Sequence, residues 1–144
     1  MTLYVMDTDH LSLFERNHPT VVSRVLEARQ SAFDDLSTTV VSMQEQLEGR
    51  LAQIRKVRHT ESLELAYRLL KQTFDLFADL NVLDYSTVAD NSFREFRKAG
   101  LRIGTQDLRI ASIVLANGGI LLTRNLRDFA KVPNLVIQDW AREG

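Results

Sequence analysis

The chain of 144 residues contains no cysteine, only two prolines, six glycines and one tryptophan. Without cysteine it has neither a disulfide framework nor a thiolate metal site, and an enzyme of the reducing cytoplasm is the simplest reading. No apolar run approaches the ~20 residues that cross a bilayer. The N-terminus, Met1-Thr2-Leu3-Tyr4-Val5-Met6-Asp7, carries no basic leader and meets an acid at its seventh residue, so no signal peptide is expected. Linker composition and internal repeats are also missing. Pro19 and Pro133 fall at element boundaries, and only Gln30 to Asp35 offers a short break. Chain length suits one domain over residues 1–144 with a sizeable core.

An excess of one charge is absent as well. Eighteen Lys and Arg against nineteen Asp and Glu leave a net charge of −1, so the whole molecule exerts no bulk attraction on nucleic acid. The charge is unevenly spread, however. Arg50, Arg55, Lys56, Arg58 and His59 crowd one stretch, and Arg94, Arg97, Lys98, Arg102, Arg109, Arg124 and Arg127 populate the last third. Taken one by one, these are ordinary solvated helix faces.

What is present is an alternation of short apolar runs with longer helical patterns. Leu3–Met6, Ser37–Val41, Val82–Tyr85, Gly119–Thr123 and Leu135–Ile137 read as strands, the second from its β-branched residues. Ser42-Met43-Gln44-Glu45 has the form of a capping box, with Leu47, Leu51 and Ile54 following at helical spacing. Glu61 to Leu80 carries Leu65, Leu69, Leu76 and Leu80 along one side. Ser86 is an expected cap for a helix ending before Gly100, Thr105 for one bearing Ile110, Ala111, Ile113 and Val114, and Asp9 for one through Leu11. Gly49, inside a helical pattern at a cost of ~1 kcal/mol, predicts close approach by another element, a partner or RNA. Strands separated by helices imply right-handed crossovers and a parallel sheet covered on both faces, with ligands bound beyond the carboxyl ends of the strands.

By that rule Asp7, directly after the first strand, Glu45, after the second, and Asp128, after the Gly119–Thr123 strand, belong to one edge. Asp107 reaches it only through the fold. Singly, Glu45, Asp107 and Asp128 have helix-terminal explanations. Asp7 is harder to dismiss, because it ends a buried strand. Together, ionised carboxylates within reach of one another repel unless a positive group lies among them. A hard divalent cation with oxygen ligands meets that need. His10, His18 and His59 show no paired ligand spacing, which disfavours zinc and leaves Mg²⁺, with Mn²⁺ as substitute.

Four blocks carry a resemblance. They are Val5-Met6-Asp7-Thr8-Asp9, Ser37 to Gly49 with Glu45 inside it, Gly104-Thr105-Gln106-Asp107-Leu108-Arg109-Ile110-Ala111, and Leu122-Thr123-Arg124-Asn125-Leu126-Arg127-Asp128-Phe129. In this order and spacing the chain resembles the PIN-domain toxins of bacterial type II toxin–antitoxin systems, the VapC-like proteins, over almost its whole length. Asp9 departs from the Asn or Ser common in relatives, and Gln44 stands where a small residue is common. The resemblance implies an α/β fold of three layers, α/β/α, with a central parallel sheet of about four to five strands. It also implies a metal-dependent endoribonuclease, usually dimeric, held in check by a cognate antitoxin. Asp7, Glu45 and Asp107 would be catalytic and ligate Mg²⁺, with Asp128 as a fourth ligand. Thr8, Asp9, Thr123 and Asn125 would support them, and Arg102, Arg109, Arg124 and Arg127 would contact RNA phosphates. An apolar groove for the antitoxin is expected along the helices between Leu11 and Leu80.

Other classes remain open on the residues alone. Asp7-Thr8-Asp9 after an apolar strand also resembles the start of haloacid dehalogenase-type phosphatases, with Asp7 as nucleophile, although Leu11 stands where Thr or Val is expected. A receiver-like signalling domain shares the size but wants a lysine where Arg124 stands. A catalytically inert PIN-type binding module would have lost one of the acids, and all are present.

Overall fold

The computed structural model describes residues 1–142. Five strands, β1 (Thr2–Met6), β2 (Asp34–Thr39), β3 (Asn81–Leu83), β4 (Ile120–Leu122) and β5 (Val136–Gln138), form a parallel sheet in the order β3-β2-β1-β4-β5. Seven helices, α1 (Thr8–Glu15), α2 (Pro19–Gln30), α3 (Val40–Lys56), α4 (Thr60–Asp79), α5 (Thr87–Lys98), α6 (Thr105–Ala116) and α7 (Leu126–Phe129), make the connections. The central strand is β1, where Val5 pairs with Ser37 on one side and Leu121 on the other. This is the α/β architecture that the strand–helix alternation predicts.

Two-residue alternation along the strands creates the layers. Leu3, Val5 and Leu121 face a core formed by Leu108, Ala111 and Ile113 of α6 with Ala89 and Phe129. Tyr4, Met6 and Leu122 face the opposite core of Leu11, Val21, Val25, Phe77 and Leu80, from α1, α2 and α4. Met6, Leu11, Leu121 and Leu122 are fully buried, each contributing roughly 1.5–3 kcal/mol by leaving water. With helices on both faces, β1 has no polar side, hence its unbroken apolar run.

Several local expectations are corrected. The second strand ends at Thr39, and Val40 and Val41 open α3 instead of continuing it. Their β-branching favours a strand, but Val41 gains a place in the core by turning into the helix. Thr39 is therefore the N-cap, its Oγ1 accepting from the Ser42 amide at 3.1 Å. Ser42 and Glu45 form no capping box; Glu45 lies in the second turn. Asp9 does not cap α1 either. Asp7 does, accepting from the His10 amide at 2.8 Å. Gly104 replaces Thr105 as the cap of α6 and offers no side-chain bond. On α4, Leu65 is exposed while Ala66, Thr73, Phe77 and Leu80 are buried, because that helix also packs on α3. No atom of the described chain lies within 4 Å of a Cβ built on Gly49, so nothing there explains the glycine by close approach. Ser86 caps α5 as expected, and Gly100 terminates it with φ +85°.

Candidate metal centre

The strand order reverses direction between β1 and β4. Chain leaving β1 runs through α1 and α2 to β2 on one side, while β4 pairs with β1 from the other. Such a switch point opens a crevice at the carboxyl ends of the strands. Asp7 follows β1, Thr123 and Asn125 follow β4, and Glu45 comes from α3, which continues β2 without a loop. The first turn of α6 adds Asp107.

Asp7 is 6% exposed. Its amide extends the ladder to the Leu122 carbonyl at 3.1 Å, which locks the backbone at the strand end. Thr8 donates its hydroxyl to Glu45 Oε1 at 2.7 Å, joining α1 to α3 across 37 residues. Ser42 Oγ lies 3.2 Å from the same hydroxyl. Asp128 accepts from Asn125 Nδ2 at 3.1 Å, and Lys131 Nζ stands 3.4 Å from its other oxygen. Those two contacts, Asn125 first, hold its carboxyl below the usual range. Thr123 is fully buried and accepts the Asn125 amide at 2.9 Å, a turn at the strand end and no contact to a carboxylate.

Asp107 shows that these acids share a field. Burial pushes its carboxyl up first, and the charges of Glu45, Asp7 and Asp128 push it further; no positive group appears among the influences on it. Asp107 thus feels acids from three other segments, of which Asp128 is paired with Lys131. A donor set of carboxylate oxygens alone, half-buried and mutually repelling, suits a hard divalent cation.

Among the described residues a second, tighter grouping exists, which the reading of acid positions alone missed. Asp7, Asp9 and His10 bring ligating atoms within 4.8 Å of one another. Its members are already committed, however. Arg124 clamps Asp9 with Nε at 2.6 Å and Nη2 at 2.8 Å, holding the Asp9 carboxyl below its usual range. His10 Nε2 accepts the Trp140 amide at 3.1 Å. The carboxylates that act on Asp107 form the other candidate cation seat. His10 was legible only as the residue one helical turn after Asp7.

The arginines divide. Arg124 is spent on Asp9. Arg109 donates to Gln106 at 2.8 Å and lies over the Phe93 ring at 5.5 Å. Arg102 and Arg127 are exposed. A cavity of about 540 Å³, lined by Val40, Val41, Gln44, Tyr85, Phe93 and Arg109 among others, opens between α3, α5 and α6. Gln106 donates to Gln44 at 3.2 Å beside it, so the residues preceding Asp107 and Glu45 in sequence touch.

No family model matches the chain. Over 142 residues it is 25% identical to Ribonuclease VapC1 of Haemophilus influenzae (strain R2866), covering 97% of this chain and 99% of that protein. A stretch of 71 residues is 35% identical to Ribonuclease VapC2 of Rickettsia felis, which is 46% of this chain and about half, 53%, of that relative. Among solved structures, DNA-bound VapBC from Salmonella typhimurium matches with a TM-score of 0.75 at 25% identity, covering 97% of this chain and 99% of that one. A toxin–antitoxin complex from Klebsiella pneumoniae shares the fold, with a TM-score of 0.66 at 18% identity over 94% of this chain and 96% of that one. Parallel sheet, switch-point acids and full-length similarity agree, and the chain is similar in fold and over its whole length to VapC ribonucleases.

Proposed function

We propose that this protein is the toxin component of a type II toxin–antitoxin system and acts as a Mg²⁺- or Mn²⁺-dependent endoribonuclease. The observation that carries the reading is Asp7, buried at the carboxyl end of the central strand with neighbouring Thr8 bonded to Glu45 at 2.7 Å; burial, then the charges of Glu45, Asp7 and Asp128, raise the carboxyl of Asp107 at the same edge. The relatives named ribonucleases support the reaction class. Asp7, Glu45 and Asp107 would hold the metal, with Asp128 at the margin. A divalent cation so held lowers the pKa of a bound water and stabilises charge on the scissile phosphate during in-line displacement.

The chain's own groups prepare that step. Thr8 holds one Glu45 oxygen, while Asn125 and Lys131 hold one oxygen each of Asp128. Exposed Arg102 and Arg127, with Arg109 at the cavity, supply phosphate contacts beside the acids, where a net charge of −1 gives no general attraction. Unpaired RNA loops and ends fit such a crevice, since their bases are free to splay. The product ends would be a 5′-phosphate and a 3′-hydroxyl.

For the cognate antitoxin, α4 presents Leu63, Tyr67 and Phe74 on one side at 37%, 55% and 64% exposure, an apolar face of the kind a partner segment covers. A homodimer acting in the cytoplasm completes the reading, and no helix among the described residues is long and apolar enough to cross a membrane. The phosphatase alternative needs Asp9 as acid/base, and Arg124 holds both of its oxygens.

The test is cleavage of a mixed structured-RNA pool with Mg²⁺, with Mn²⁺ and with EDTA, comparing wild type with Asp7→Asn. Metal-dependent cleavage that vanishes in the variant is expected. Full cleavage by Asp7→Asn, or cleavage that survives EDTA, removes the proposed centre. A phosphoaspartate trapped at Asp7 would return the phosphatase.

A further inference from the structure

His10 is fully buried on the first turn of α1, and its environment dictates which nitrogen carries the proton. Nε2 lies 3.1 Å from the Trp140 amide nitrogen. A backbone amide only donates, so Nε2 must present its lone pair, and the neutral ring bears its hydrogen on Nδ1. That Nδ1 is buried and has no hydrogen-bond partner among the described residues. It faces Asp7 Oδ1 at 3.6 Å, the same oxygen that accepts the His10 amide at 2.8 Å. Asp7 Oδ2 accepts no hydrogen bond among the described residues. A buried N–H left unsatisfied is a standing cost to stability, so its retention asks for a task.

We propose that His10 is a positioning residue for Asp7: the Trp140 amide fixes the Nδ1–H tautomer, and that N–H pins Asp7 Oδ1 so that Oδ2 faces the cation. The inference rests on the carboxylate centre proposed above. It assigns the C-terminal segment a part in the site, since Trp140 is 130 residues from His10. Trp140 is itself held by the Tyr4 ring, with centroids 4.9 Å apart, and by its Nε1 donating to Gln138 Oε1 at 3.1 Å. Two further carboxylates face the ring: Asp139, whose Oδ1 lies 3.7 Å from Nε2 and accepts the Ala141 amide at 2.8 Å, and Asp9, within 4.8 Å of a ring nitrogen and held by Arg124. At 3.6 Å the Nδ1–Oδ1 separation is longer than a hydrogen bond, and the proposed role requires it to shorten when the centre is loaded.

Two substitutions separate the two ring nitrogens. In His10→Asn the amide nitrogen takes the place of Nδ1 and still donates towards Asp7, but nothing reaches Trp140. In His10→Gln the amide oxygen takes the place of Nε2 and still accepts from Trp140, but the donor towards Asp7 is lost. Mn²⁺ titration of the full chain by calorimetry, thermal unfolding and RNA cleavage are measured for both beside wild type. His10→Gln is expected to keep most of the melting temperature yet bind Mn²⁺ about 10–100-fold more weakly. His10→Asn is expected to melt lower while holding Mn²⁺ affinity within about threefold of wild type, well inside that loss. Wild-type Mn²⁺ affinity in His10→Gln, or affinity that follows melting temperature in both variants, leaves His10 a core residue and overturns the proposal alone. If wild type binds no Mn²⁺, or Asp7→Asn binds it equally, the metal centre fails and the positioning role with it. Should His10→Gln not fold, nitrogen-15 NMR of the wild-type imidazole decides. Protonation at Nδ1, with a shift in Asp7→Asn, supports the role, and protonation at Nε2 overturns it.

Discussion

Arg124 grips Asp9 with both nitrogens of its fork, Nε to Oδ2 at 2.6 Å and Nη2 to Oδ1 at 2.8 Å, across 115 residues of chain. The pair spans the switch point, tying the start of α1 to the loop after β4 on either side of Asp7. Its groups are 49% and 39% exposed, so its direct contribution to stability is at most ~1 kcal/mol. Arg124 also feels the charge of Asp7, after those of Asp9 and Asp139.

Arg124→Ala is expected to leave the melting temperature nearly unchanged and to tighten Mn²⁺ binding about threefold, the scale of a unit charge removed where bulk water screens the interaction. Calorimetric titration checks the sign. Weaker binding would show that the pair's main task is to hold Asp7 in place.

Thr8→Val removes the 2.7 Å bond to Glu45 while keeping side-chain volume. With the carboxylate free to turn, Mn²⁺ affinity or cleavage is expected to fall about 10–100-fold. Circular dichroism should show an intact fold. An unchanged cleavage rate would separate Glu45 from the reaction.

Gly119 stands where β4 begins against β1. A Cβ there would meet Val5 Cγ2 at 3.0 Å and the Leu3 carbonyl oxygen at 3.2 Å. The carbonyl belongs to a paired strand and has little room to yield. Gly119→Ala is expected to destabilise by ~1–3 kcal/mol, measured by urea unfolding. No loss would mean that β1 and β4 separate more easily than their pairing indicates.

Away from the acids, Asp90 accepts from Arg94 Nε at 2.7 Å and from the Tyr85 hydroxyl at 2.9 Å. The Arg94 bond, then the Tyr85 bond, hold its carboxyl below the ordinary 3.8. A depressed folded value means the stabilisation is complete above 3.8 and disappears as pH falls through the lower folded value. Tyr85 is raised above 10.0, chiefly by burial and then by Asp90, so its own contribution is present below 10.0 and lost on alkaline titration. Wild type and Asp90→Asn should differ by a constant amount near neutrality, and that difference should shrink as pH drops below 3.8. A difference that grows on acidification would contradict the assignment.

Much of the site was legible because its acids are marked by chain position. A carboxylate ending a buried apolar strand, as Asp7 does after Val5 and Met6, has few structural excuses, and the parallel-sheet rule sends strand ends to one edge. Thr8 and Asn125 were legible as neighbours of those acids. The errors share a cause: local signals compete with packing. Val40 and Val41 read as strand until Val41 finds its place beneath α6, and Ser42 then ceases to be a cap. Asp9 looked like a cap until Arg124, distant in sequence, claimed it.

The sequence by itself determined the alternation of strands and helices, the apolar character of β1, and the identity of the acids, because these depend on periodicity and residue type within a few positions. Tertiary structure alone decided that Asp107 feels the charges of Glu45 and Asp7, that Arg124 pairs with Asp9, and that the Trp140 amide meets His10. Each of those facts links residues tens of positions or more apart. The sheet order β3-β2-β1-β4-β5 brings them together, and no local pattern encodes it.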